Sequence, residues 1–175
     1  MTVGILALQG DYNQHKRVLD ILGTNNIYVR HKQDMKLCDA LIIPGGESTT
    51  ISKQIDNNNL RKPIIEFSKN NIVFGTCAGM IMLSSSSKSN NLTPLGLMDF
   101  SVSRNAWGRQ INSFSDDLDL EFDNIRFHAV FIRAPKVSRM GKDLKVLATY
   151  NNKPVMVTDG HHFVCSFHPE IGSDF

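Results

Sequence analysis

Four short runs of this chain are apolar enough to be buried on both sides. Val3 to Leu8 closes on Gln9-Gly10, and Ile27 to Arg30 is brief. Asp39 to Ile43 stops at Pro44-Gly45-Gly46, and Ile72 to Phe74 runs into Gly75. Helix-period segments lie between them. Asp11 is placed to cap a helix that carries Val18, Leu19, Ile21 and Leu22 on one face and stops at Gly23. Ser48-Thr49-Thr50 opens a second helix, with Ile51 and Ile55 inward. Leu60 to Lys69 forms a third, and Met80 to Leu83 reads as helical. Doubly apolar strands alternating with helices predict an α/β fold with a parallel sheet under helices. The second half changes character. Phe100 to Val102, Ile125 to Ile132, Lys145 to Thr149, Pro154 to Thr158 and Phe163 to Phe167 read as strands with short connections. They predict antiparallel additions and a return to the main sheet. Ser84 to Asn91 reads as a polar loop.

Composition excludes several classes of function. Lys+Arg 19 against Asp+Glu 17 leaves a net charge of +2, too little to hold a nucleic-acid backbone. No apolar run approaches the roughly 18 residues that span a bilayer. The opening MTVGILALQGD lacks a basic leader and a small-residue cleavage site. These features predict a cytoplasmic protein with neither nucleic-acid nor membrane partners. The 175 residues contain no internal repeat and no domain-sized linker, so one domain over 1–175 is expected. Cys38, Cys77 and Cys165 are odd in number and widely spaced, without CxxC or Cys/His pairing, so no zinc site is expected.

Ligands gather at the C-terminal ends of parallel strands. Three unusual segments fall there: Pro44-Gly-Gly-Glu-Ser48, Gly75-Thr-Cys-Ala-Gly79 and Phe167-His-Pro-Glu170. Gly75-x-Cys77-x-Gly79 has the form of a nucleophile elbow, which lifts its central residue into a crevice at a helix N-terminus. A buried cysteine beside two packing glycines reads the same. His168 and Glu170, two residues apart, share a side of an extended chain. A carboxylate there can orient an imidazole toward a thiol. An oxyanion hole needs two N–H donors; Ala78, directly after Cys77, and Gly46 are the candidates. The same loop also reads as a turn plus a helix cap, with Ser48 as N-cap and Glu47 favourable at the helix dipole. Arg104 and Arg133 are candidate carboxylate clamps. His161-His162 lacks further ligands at metal spacing. His15, His31 and His128 read as structural or exposed, and Cys38 and Cys165 as inert. Trp107 shows no role by pattern.

Together, Gly-Thr-Cys77-Ala-Gly, Pro-Gly-Gly-Glu-Ser-Thr-Thr50 and Ser-Phe-His168-Pro-Glu170 resemble class I glutamine amidotransferases. Leu6-Ala-Leu-Gln-Gly-Asp11, Arg104-Asn-Ala-Trp-Gly-Arg-Gln110 through Ser113-Phe114, and Phe131-Ile-Arg-Ala-Pro135 narrow the resemblance to the glutaminase subunits of pyridoxal 5′-phosphate synthase. It covers nearly the whole chain. The resemblance implies a flavodoxin-like three-layer fold, with a mostly parallel central sheet, helices on both faces and antiparallel additions. It implies a Cys77–His168–Glu170 triad and glutamine contacts from Gly46, Glu47, Ser48, Arg104, Ile132 and Arg133. It implies a separate barrel-shaped synthase subunit that receives ammonia for vitamin B6 synthesis and uses ribose 5-phosphate and glyceraldehyde 3-phosphate. Docking at the crevice rim makes Gln9 the candidate residue for coupling to that partner. The expected reaction is hydrolysis of L-glutamine to L-glutamate and ammonia, without metal or organic cofactor. Relatives usually continue past His-Pro-Glu with a Leu-Thr-like step and a helix. Here the chain reads Ile171-Gly-Ser-Asp-Phe175, and loss of that helix would expose apolar surface. A glutaminase serving imidazole glycerol phosphate or nucleotide synthesis, a γ-glutamyl or peptide hydrolase, and a catalytically silent regulatory subunit are the alternatives.

Overall fold

Strand and helix alternate through the first half, and strands dominate the second. The computed structural model describes residues 1–87, 92–104, 113–122 and 126–172. The first half runs β1 (Thr2–Leu6), α1 (Tyr12–Ile21), β2 (Asn25–Val29), β3 (Ala40–Ile43), α2 (Ser48–Asn57), α3 (Arg61–Ser68), β4 (Ile72–Thr76) and α4 (Ala78–Leu83). There follow β5 (Ser84–Ser87), β6 (Met98–Ser103), β7 (Ser113–Asp119), β8 (Arg126–Ile132), β9 (Lys136–Met140), β10 (Lys145–Tyr150), β11 (Lys153–Thr158) and β12 (Phe163–Cys165). Pro169–Ile171 is a single 3-10 turn. Trp107, the 105–112 stretch and the terminal Ser173 to Phe175 lie outside the described residues.

The main sheet has seven strands in the order β10-β11-β12-β4-β3-β1-β2. Its parallel part, read from the edge, is β2-β1-β3-β4-β12. That is the 2-1-3-4-5 order of a flavodoxin-like doubly wound sheet. β11 and β10 pair antiparallel at the other edge, as the sequence predicts. The core lies on both faces of the sheet. Leu41, Ile43, Val73 and Val164 join Ile51, Ile55, Ile64 and Met80 in the larger cluster, under α2, α3 and α4. Phe74 and Cys165 point the opposite way, since successive strand residues alternate. They meet Leu118, Ala129 and Phe131 of the β7–β8 hairpin. The second face is therefore roofed in part by a hairpin as well as by α1.

Several sequence expectations need correction. Ser84–Ser87 is a strand, paired with β6 and held by Ser85 Oγ donating to Phe100 O at 2.8 Å and by a hydrogen bond between the Ser86 and Ser101 hydroxyls at 2.7 Å. β7 and β9 are strands that the sequence pattern does not mark. α1 does not bury Ile21 and Leu22, which remain 59% and 55% exposed; its buried residue is His15. Asp11 occupies the N-cap position without a side-chain cap bond. Glu47, not Ser48, caps α2 and accepts from the N–H groups of Thr49 and Thr50. His161 and His162 serve the backbone: Val73 N–H donates to His162 Nδ1 at 3.1 Å, and His161 Nε2 lies 3.1 Å from Ser68 O.

α4 sits so close to β3 that a Cβ on Gly79 would lie 1.9 Å from Ile43 O. All six residues of α4 are buried, so the helix cannot retreat into solvent. Gly79→Ala is expected to destabilise the fold by about 1–3 kcal/mol, the usual cost of overpacking. Urea unfolding measures this; a midpoint equal to wild type would show that the helix yields.

Candidate active site

The C-terminal ends of β1, β3, β4 and β12 lie side by side and bring the three glycine- and histidine-bearing segments together. A cavity of about 330 Å³ opens there. Cys77, Ala78 and His168 line it, with Gly46, Glu47, Ser48, Arg104, Ile132 and Arg133 around them and Gln9 at its edge. Every candidate site residue from the sequence is thus gathered in one place, except Glu170, which stands behind His168. The cavity also takes Gly10, Asp11 and Ile81, which the sequence does not mark as site residues.

Cys77 follows β4 directly and adopts φ 48°, ψ −102°. A positive φ in a residue with a Cβ is strained, and the surroundings must enforce it. Its N–H donates to Cys165 O on the neighbouring strand at 2.9 Å. Its thiol points at Ile132 O, 3.7 Å away. β8 also anchors the histidine, since His168 N–H donates to Val130 O at 2.8 Å. One strand of the roofing hairpin thus touches both residues. Arg133, next to Ile132, has φ 44°, a second strained position on the cavity wall.

His168 Nδ1 lies 2.7 Å from Glu170 Oε1 and 3.6 Å from Asp11 Oδ2. Burial opposes charge on the imidazole, but its bonds to the Cys77 thiol and Glu170 outweigh it and raise its pKa to about 10. Burial likewise pushes the pKa of Glu170 up, and the bond from His168 prevails and holds it below the usual carboxylate range. His15 Nε2 lies 3.4 Å from Glu170 Oε2 and 3.1 Å from Thr76 Oγ1. Burial lowers the pKa of His15 and keeps it neutral against the pull of Glu170. Asp11 and His15 are four residues apart and share a helix face that starts right after the Gln9-Gly10 loop. That spacing is the signal in the sequence that could have brought both to the site. Asp11, His168 and Glu170 bring ligand atoms within 4.8 Å of one another. His168 Nδ1 and Glu170 Oε1 already face each other there at hydrogen-bond distance, 2.7 Å.

The Pro44–Ser48 loop is braced from the loop that follows β1. Gln9 Oε1 accepts from Glu47 N–H at 3.0 Å, and Gly45 O accepts from Asp11 N–H at 3.1 Å. Gly10 (φ 92°) allows the approach, because a Cβ there would lie 1.8 Å from Gly45 O. Glu47 spends its carboxylate on Thr49 N–H (3.0 Å), Thr50 N–H (2.6 Å) and Thr50 Oγ (2.7 Å). Partial burial pushes its pKa up, but these bonds prevail and lower it to about 2. Arg104 Nη2 reaches Glu47 Oε1 at 3.1 Å. Ser48 Oγ is buried without a hydrogen-bond partner among the described residues.

A raised folded pKa means that His168 contributes its stabilisation fully below its unfolded value, near 6.5, and loses it as pH climbs through about 10. The stability gap between wild type and His168→Asn is therefore expected to hold steady below about pH 6.5 and to shrink toward pH 10. Urea titrations at stepped pH read it. A gap that widened with rising pH would contradict a charged imidazole in the fold.

The model of the SNO glutamine amidotransferase family matches residues 5–175. The chain belongs to the SNO glutamine amidotransferase family. Among its relatives is the pyridoxal 5′-phosphate synthase subunit PdxT of Desulforamulus reducens, 44% identical over 99% of this chain and 94% of the relative. The PdxT of Thermotoga maritima is 38% identical over 99% and 94%. A solved glutamine amidotransferase superposes with a TM-score of 0.93 at 42% identity, over 98% of this chain and 92% of that one. The structure of PurLQS from Thermotoga maritima shares the fold, with a TM-score of 0.72 at 15% identity over 97% and 87%. Like other members of its family, the chain is a glutamine amidotransferase. Among the described residues, no helix is long and apolar enough to cross a membrane.

Proposed function

We propose that this family member is the glutaminase subunit of a pyridoxal 5′-phosphate synthase. It hydrolyses L-glutamine to L-glutamate and ammonia and passes the ammonia to a barrel-shaped synthase subunit. The observation that carries the chemistry is a strained Cys77 sharing a cavity with a histidine that a buried carboxylate holds at 2.7 Å.

In this reading the Cys77 thiolate attacks the side-chain amide carbon of glutamine. The oxyanion lies between the N–H groups of Ala78 and Gly46. His168 gives its proton to the leaving ammonia, then takes one from the water that cleaves the γ-glutamyl thioester. Glutamate leaves and the thiolate returns. Glu170 holds the imidazole in one tautomer and steadies its cationic form. The amino-acid end of glutamine meets Glu47, Ser48, Arg104 and Arg133 and the Ile132 backbone. Glu47 stays anionic at neutral pH because its bonds hold its pKa so low, and so can face an α-ammonium group. Ser48 Oγ offers an unspent hydroxyl. The test is ammonia release from glutamine by the chain with and without the synthase subunit that co-purifies with it. Release that rises with the synthase supports the reading. A complex that forms but never releases ammonia would make the chain a silent regulatory subunit.

A further inference from the structure

Glu170 has two oxygens, and His168 uses one of them. Oε1 takes the His168 bond at 2.7 Å. Oε2 is buried and has no hydrogen-bond partner of ordinary geometry among the described residues. The side chain is 0% exposed, so bulk solvent cannot reach it. A carboxylate oxygen left without a donor in such a place is costly. Facing it, 3.4 Å away, stands His15 Nε2.

His15 comes from α1, which packs against the Pro169–Ile171 turn carrying Glu170. The same Nε2 lies 3.1 Å from the hydroxyl of Thr76, the residue before Cys77. The imidazole thus bridges the approach to the nucleophile and the carboxylate behind the base. Its neighbours choose its tautomer. A bare Nε2 would turn a lone pair toward an anionic oxygen, whereas a proton there meets that oxygen favourably. The Thr76 hydroxyl accepts as readily as it donates, so it allows this choice. His15 does not line the cavity.

We infer that His15 is a positioning residue: its Nε2–H fixes Oε2 of Glu170, so that Oε1 stays aimed at His168 Nδ1. The inference rests on the Cys77–His168–Glu170 reading above. A carboxylate held at both oxygens cannot rotate away from the imidazole. In the working enzyme the 3.4 Å contact closes to hydrogen-bond distance. The effect appears in turnover and not in glutamine binding.

The test compares His15→Gln with His15→Asn. The Gln amide nitrogen reaches the place of Nε2, while that of Asn reaches only the place of Nδ1. Both variants are assayed for glutamine hydrolysis in complex with the synthase subunit, beside Cys77→Ala and His168→Ala. Circular dichroism checks folding, and proton NMR of the full chain follows the low-field His168 Nδ1 proton. His15→Asn is expected to lower kcat about 10- to 100-fold, the loss of one charge-assisted hydrogen bond, with KM nearly unchanged. Its low-field resonance should broaden or vanish. His15→Gln should recover most of kcat and the resonance. In wild type, ¹⁵N-histidine spectra should show His15 neutral, with its proton on Nε2. Because this reading needs no variant, it stands even where His15→Asn does not fold. A proton on Nδ1, a Gln variant no better than the Asn variant, or an effect confined to KM would overturn the inference. If Cys77→Ala and His168→Ala lose activity while His15→Asn keeps wild-type kcat and resonance, only the role of His15 falls. If those two keep activity, the triad reading falls and takes this role with it.

Discussion

Cys77→Ala should abolish ammonia release from glutamine, a loss on the order of 10⁶-fold in kcat where the nucleophile of a triad is removed. The expectation comes from position. Cys77 alone among the three cysteines sits at a strand–helix elbow with positive φ and lines the cavity. Cys165 is wholly enclosed, and burial pushes its thiol well up; burial also raises that of Cys38. Their alanine variants should keep most of the activity. His168→Ala should approach the Cys77 loss, since it removes both base and acid. Glu170→Ala should leave roughly a hundredfold more activity, because a carboxylate that orients is less costly to lose than the group it orients. Adding Glu170→Ala to Cys77→Ala should cost little further. Steady-state ammonia release checks the series. A Glu170→Ala variant as active as wild type would give the third role to another group.

The second large effect concerns the partner. Saturating synthase subunit is expected to raise kcat by roughly 10²–10³, the worth of one oxyanion-hole donor, and to change KM less. The proposed device is the Gly45–Gly46 peptide. Its carbonyl is tied to Asp11 N–H at 3.1 Å, so the Gly46 N–H points the other way across a trans peptide. Turning the peptide over breaks that tie and exchanges a donor for an acceptor at the site. Neither flanking residue has a side chain to obstruct the motion. Gln9 braces the next peptide through Glu47 N–H at 3.0 Å. A partner docking at the rim beside Gln9 needs only a differential affinity of similar size for the two orientations. Gln9→Ala should therefore weaken activation and leave the Cys77–His168–Glu170 geometry intact. Kinetics with and without synthase, for wild type and Gln9→Ala, decide it. Full activity in the isolated chain, unchanged by a synthase shown to bind, would refute the switch.

The parts legible in the sequence are those where backbone geometry demands particular residues. The elbow needed Gly75 and Gly79, whose Cβ atoms would collide with Gly79 C at 2.6 Å and Ile43 O at 1.9 Å. The parallel strands were apolar on both faces because both faces are covered. What escaped reading depends on tertiary pairing. Ser84–Ser87 has no propensity for a strand, and only pairing with β6 makes it one. β7 shows a mostly polar face and buries only Leu118, so its period was faint until β8 supplied the partner. The apolar residues of α1 suggest a buried face, yet the helix is pinned through His15, a polar residue whose partners Thr76 and Glu170 lie far along the chain. No local pattern announces such a contact. Glu47 displaced Ser48 as the cap because its longer side chain reaches two N–H groups at once.

A γ-glutamyl thioester on Cys77 is the intermediate that the proposed chemistry requires. Rapid acid quench of the chain with saturating glutamine and synthase, followed by intact-protein and peptide mass spectrometry, tests it directly. A γ-glutamyl adduct is expected on the peptide bearing Cys77, at higher occupancy in a variant slowed in the hydrolytic step. An adduct on Cys38 or Cys165, or ammonia released at full rate by Cys77→Ala, would contradict it.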